Sequence, residues 1–155
     1  MSCMKDGAFP NHYLQQNVIA QDPDILFFAG DQLYEGNGGF GIVRAKKLAD
    51  VPRASLNYLQ KYWIFGWSFR DVMKDRPSVV IPDDHDVYHG NIWGLGGGPV
   101  PDGGNKGSDG GYEMHAEWVR MVEHTQVSNL PDPYDPTPVL QNIGVYYTDF
   151  NYGGI

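Results

Sequence analysis

Two short apolar runs, ILFFA at residues 25–29 and VVI at residues 79–81, each break off into acidic residues, and the stretch between them has helical periodicity. Apolar runs of that length, bounded by turn residues, suit buried strands. Two such strands joined by a long helical crossover predict parallel pairing in a right-handed unit, because parallel neighbours cannot be linked by a tight turn. In an open sheet of this kind ligands bind outside the carboxyl ends of the strands. There the chain places GDQLYE at residues 30–35 and PDDHD at residues 82–86. Asp31 from the first strand, with Asp83, Asp84 and Asp86 around His85 from the second, therefore define one expected site. Carboxylates crowded together repel one another unless a cation holds them. A hard or borderline metal is the natural occupant.

Each part weighs less when taken alone. A Gly-Asp pair after a strand is commonly a turn. Three carboxylates around an imidazole directly after a buried strand are more specific, because they make a poor turn and a costly cluster. Cys3 alone is more often filler than ligand, and His12, His115 and His124 fall in expected helices as ordinary surface or core histidines.

The rest of the chain frames this site. Its 155 residues, 41% of them hydrophobic, have the length of one domain and suffice for a core. Tyr13, Leu14, Val18 and Ile19 share one face of a predicted helix of about ten residues, with Pro10 near its first turn. Residues 51–74 repeat Leu56, Leu59, Trp63, Val72 and Met73 at helical steps, which predicts a second helix with its aromatics in the core and Gly66 as a candidate break. Residues 112–126 predict a third, with Met114, Trp118, Met121 and Val122 on one face. The glycine-rich segment 94–111 suits a loop that shapes a rim. Pro131, Pro133, Pro136 and Pro138 enforce an extended crossing, and alternation from residue 144 onward predicts a β-hairpin or a strand entering a sheet. No internal repeat is evident.

A net charge of −8 argues against a surface that grips nucleic acid phosphates, which needs clustered Lys and Arg. No stretch approaches the roughly 20 apolar residues needed to cross a bilayer. The single cysteine excludes an internal disulfide.

Ser2-Cys3, GDQLYE and DDHD, in that order and spacing, resemble the PhoD-like alkaline phosphatases within the calcineurin-like metallophosphoesterases. Those proteins carry Ser-Cys after a first strand, then GDxxYE, then a DDH[DE] box. The resemblance spans roughly residues 2–93. It implies an α/β fold: a partial metallophosphoesterase-like layered β-sheet flanked by helices, with long Gly/Pro-rich loops. It further implies hydrolysis of phosphate mono- or diesters by a metal-activated hydroxide. Cys3, Asp31, Tyr34 and Asp84 would be metal ligands, and His85 would contact the phosphate or protonate the leaving oxygen. Asp83 and Asp86 would support them, with Asn91 an extra polar ligand. The implied metals are ferric iron with calcium, although other divalent ions suit the same donors. Two metals about 3.5 to 4 Å apart can stabilise both the attacking and the leaving oxygens, and they let an acidic protein bind an anionic ester. The resemblance also implies an exported bacterial protein, periplasmic, cell-surface or secreted.

The family brings further histidine ligands from later strands in a Gly-His or Gly-Asp-x-His setting, and none stands here. The expectation is therefore a single partial domain over residues 1–155, the amino-terminal half of a catalytic domain, which alone binds metal weakly and turns over phosphate esters poorly or not at all. Two other readings compete: a non-catalytic calcium-binding module using Asp102, Asn105 and Asp109, and an inactive relative with a structural acidic cluster. The first lacks the EF-hand alternation of acidic groups before its glycine.

Overall fold

The computed structural model of the chain describes residues 1–5, 10–89, 98–102 and 110–154. Strand β1 (Leu26–Ala29) pairs in parallel with β2 (Ser78–Ile81), in a register that sets Leu26 beside Ser78 and Ala29 beside Ile81. Both strands therefore end level with each other, and the acidic segments leave the sheet side by side. The architecture is α/β in the general sense, a small parallel pair with three helices. Residues 1–4 run along the edge of β1 away from β2: the Met1 amine donates to Phe27 O at 2.6 Å, Ala29 N to Met1 O at 2.7 Å and Met4 N to Asp31 O at 3.1 Å. That path brings Cys3 to the same end of the sheet.

Helix α1 (His12–Ala20) is capped by Asn11, whose side chain accepts from Leu14 N at 3.0 Å. Only part of its expected face is used, since Leu14 and Val18 pack on the core while Tyr13 and Ile19 are exposed. Helix α2 (Val51–Met73) makes the crossover and runs unbroken through Gly66. It buries Tyr58, Phe65, Phe69 and Val72, and Phe28 of β1 meets Phe65 and Phe69 edge to face at 5.1 and 5.6 Å. Such aromatic pairs add to the burial of their area.

The expected core face of α2 is corrected by this packing. Leu56 is 67% exposed, Trp63 is 65% exposed, and Leu59 is exposed as well. The buried face carries Asn57, Lys61 and Ser68 instead, and two of these have partners in the loops they cover. Asn57 Nδ2 donates to Phe40 O at 3.2 Å, and Lys61 Nζ donates to Glu35 O at 2.6 Å and Tyr88 Oη at 2.8 Å. A buried polar group with its bonds made is tolerated, so polarity did not mark the outer face.

Helix α3 (Ala116–Val127) begins at a His115 cap and buries Trp118 and Val122, with Met114 buried just ahead of it. Beyond it neither the expected hairpin nor a strand entering a sheet forms among residues 144–154: an isolated Leu140–Ile143 bridge precedes the segment, and Tyr134 N donates to Tyr147 O at 3.0 Å. The four prolines opposite supply no N–H, which removes ladder donors. Side chains take their place, with Tyr146 Oη donating to Pro131 O and Thr148 Oγ1 to Asp132 O. The expected glycine-rich rim falls mostly outside the described residues. No helix among the described residues is long and apolar enough to cross a membrane.

Candidate metal centre

The chain leaves β1 through Gly30 at φ 82° and Asp31 at φ 55°, both left-handed. Glycine is required at the first position, because a Cβ there would stand 2.3 Å from the Cβ of Asp83. The absence of a side chain lets the two strand ends touch. Asp31 is not a glycine, so its conformation carries strain of the kind that collects at functional sites. Cys3 shares that left-handed backbone, at φ 54°.

After β2, Asp84 caps a short 3-10 turn (His85–Val87) by accepting from His85 N at 2.8 Å. The result is a convergence: Asp31, Asp84 and His85 each offer a ligand atom, and these atoms all lie within 4.8 Å of one another. Tyr34 Oη donates to Asp31 Oδ2 at 2.9 Å, and its ring stacks on His85 with centroids 4.1 Å apart. His85 Nδ1 lies 3.2 Å from both carboxylate oxygens of Glu35.

The electrostatics show the cost of this crowding. Burial raises the Asp84 carboxyl above the ordinary range; the His85 N–H bond opposes that rise, and the nearby Asp31 and Asp83 carboxylates add to it. The Tyr34 phenol is held well above its usual value by burial, then by its hydrogen bond to Asp31 and the Asp31 charge, with the Cys3 sulfur acting in the same direction. Cys3 itself is exposed and stands outside the Asp31, Asp84 and His85 group. A cation among these groups would reverse each effect.

Asp83 and Asp86 have distinct places. Asp83 is exposed, and its Oδ1 accepts from Asp84 N at 2.9 Å. Asp86 is fully buried beneath the cluster and accepts four N–H groups: Asp31 N at 2.7 Å, Leu33 N at 3.0 Å, Asp83 N at 3.0 Å and Gln126 Nε2 at 2.9 Å. Burial pushes its carboxyl up to about 6, against the pull of those donors.

The other candidates lie apart from the cluster. Asn91 falls outside the described residues, as do Asn105 and Asp109 of the calcium-loop reading, while Asp102 is exposed. His115 caps α3 through Nδ1, which accepts from Glu117 N at 3.2 Å, and His12 and His124 are exposed on their helices. His89 is buried, with Nε2 3.1 Å from Gly110 O.

Two residues that touch this arrangement were not assigned from the sequence. Glu35 closes the GDQLYE motif, and its place directly after Tyr34 was the available signal. Gln126 gave a weaker one, a polar residue four positions on from Val122 and eight from Trp118, in register with a buried face. None of the protein-family models, curated proteins or solved structures compared with the chain matches it. Fold and site together define an α/β protein with an Asp, Asp, His group able to hold a metal ion at the ends of two parallel strands.

Proposed function

We propose that this chain carries part of the catalytic centre of a PhoD-like metallophosphoesterase that hydrolyses phosphate mono- or diesters. The observation that supports the reading most is the convergence of Asp31, Asp84 and His85, with the Tyr34 hydroxyl bonded to Asp31. The donors suit the metals the resemblance implies: thiolate, phenolate and carboxylate for ferric iron, carboxylate oxygens for calcium. In this reading Cys3, Asp31 and Tyr34 hold the first ion and Asp84 the second, with further histidines to complete them. Bound metal would supply Lewis acidity and activate water near neutral pH.

The chain's own residues do the rest. Asp31, buried, and Asp84, partly exposed, fix where the cations sit. With Glu35 accepting the Nδ1–H of His85, Nε2 is the nitrogen left to meet the substrate and pass a proton. Stacking on Tyr34 fixes the plane of that ring. His85 can then hydrogen-bond a phosphate oxygen or protonate the leaving oxygen.

The test is a titration of the chain with Mn2+, and with Fe3+ plus Ca2+, followed by orthophosphate and by a chromogenic phosphodiester. Asp84→Ala should weaken metal binding at least about tenfold, a loss of ~1.4 kcal/mol. His85→Ala should keep most of the metal and lose phosphate binding. Because the chain carries only part of the centre, its own turnover of the diester should be slow or absent, and a metal-loaded chain that binds no orthophosphate would sink the proposal.

A further inference from the structure

Beneath the candidate centre lies a chain of buried polar side chains whose orientation follows from chemistry. The Asp86 carboxylate, when ionised, can only accept, so the amide that faces it from Gln126 must present its NH2, which also donates to Tyr58 Oη at 2.8 Å. The Gln126 carbonyl is thereby turned to Gln32, whose Nε2 donates to it at 2.9 Å and to Ile81 O at 2.7 Å. Asp86, Gln32 and Gln126 are all buried, none with more than 1% of its surface exposed. The chain links α3, the last residue of β2 and the turn that follows β1.

What Asp86 does with its remaining bonds gives this network its direction. Its oxygens take the backbone N–H of Asp31, Leu33 and Asp83, the residues that shape both acidic loops. The Asp31 bond is the shortest of these, at 2.7 Å, and it holds the residue whose backbone is left-handed. Moving Asp86 by a fraction of an ångström would re-aim the Asp31 carboxylate. Gln126 contributes the fourth bond and comes from a different element, so it sets where the Asp86 carboxylate stands relative to the helix layer.

We propose that Gln126 is a positioning residue for the metal centre, acting through Asp86 to fix the backbone of Asp31 and Asp83. The inference rests on the metal reading above for its functional meaning, while the positioning itself is a property of the metal-free chain. Groups that orient ligands from behind typically change metal affinity 10–100-fold when removed. Removing a buried glutamine that served only stability would lower the unfolding free energy and leave the affinity of folded molecules unchanged.

The experiment compares Gln126→Met with Tyr58→Phe, which removes a hydroxyl from the same amide without touching the bonds to Asp86. Three readouts are taken on each: unfolding by urea, the Mn2+ dissociation constant, and the amide signals of Asp31, Leu33 and Asp83 in metal-free 1H–15N spectra. Gln126→Met should shift those three amides, speed their hydrogen exchange, and raise the Mn2+ dissociation constant by about tenfold or more. Tyr58→Phe should lower stability and leave amides and affinity near their starting values. If Gln126→Met does not fold cooperatively, Gln32→Met frees the Gln126 amide from its orienting donor and should move the same readouts in the same direction. Unchanged affinity in a folded Gln126→Met, or in Gln32→Met where it is the variant used, overturns the proposal. If the unsubstituted chain binds no Mn2+, the metal reading fails by itself, and the three amides alone then decide whether Gln126 positions the loops.

Discussion

Gly30 stands where the two strand ends come closest, and its replacement tests whether that contact matters. Alanine there would meet the Cβ of Asp83 at 2.3 Å and occupy a left-handed backbone, so two penalties combine. Gly30→Ala should cost about 2–4 kcal/mol in urea unfolding, with an unchanged denaturant slope if the fold persists. Asp86→Asn probes the opposite case, a near-isosteric change in which one acceptor oxygen becomes an NH2 facing N–H donors. It should cost about 2–3 kcal/mol, because buried donors lose their partner. At this scale the sequence was legible where a residue type has few uses: Asp31, Asp84 and His85 stand out by motif, and the structure brings them together. Asp86 was grouped with Asp83 as a supporting residue, yet of the two it alone is buried and binds the backbone of both loops. Nothing in a row of aspartates tells which one turns under the loop.

The helices show where periodicity informs and where it misleads. Repeats at three and four residues predicted α2 over nearly its full extent, and α3 with Trp118 and Val122 inward. On α2 the period held and the face only in part: Val72 is inward as expected, while Leu56, Leu59 and Trp63 are exposed. Two apolar stripes share that helix, and the buried one is interrupted by Asn57, Lys61 and Ser68. The acceptors of Asn57 and Lys61 are main-chain carbonyls and a phenol in distant loops, which no local pattern reveals. Paired truncations check the assignment. Trp63→Ala should change stability by less than about 1 kcal/mol, since the ring is largely in solvent and stacks mainly on Trp67. Phe65→Ala, two residues on, should cost about 3–5 kcal/mol through the cavity left against Phe28 and Phe69. Equal losses would mean that the outer stripe is covered in solution.

For the molecule as a whole, the acidic cluster is a liability in isolation and an asset with a cation. The chain already carries a net charge of −8, and burial together with the neighbouring carboxylates raises the Asp84 carboxyl above its unfolded range. The sign follows from linkage: a carboxyl with a raised folded pKa favours folding when protonated, and that contribution is lost as pH rises through the folded value. Without metal, stability from this group should therefore fall on going from acid toward neutrality. A bound cation prefers the ionised carboxylates, so the slope should reverse when metal is saturating. At a free metal concentration 100 times the dissociation constant the stabilisation is about 2.7 kcal/mol, and a chelator should remove it. Asp84→Asn separates the two effects, since its Oδ1 can still cap the turn over His85. Without metal the variant should match or slightly exceed the parent, by under about 1 kcal/mol, with a flatter pH dependence. With metal it should gain little. Thermal or urea unfolding across pH 4 to 8, with and without Mn2+, reads all four combinations. A parent whose stability is indifferent to metal and to chelator at every pH would show that the carboxylates tolerate one another unaided.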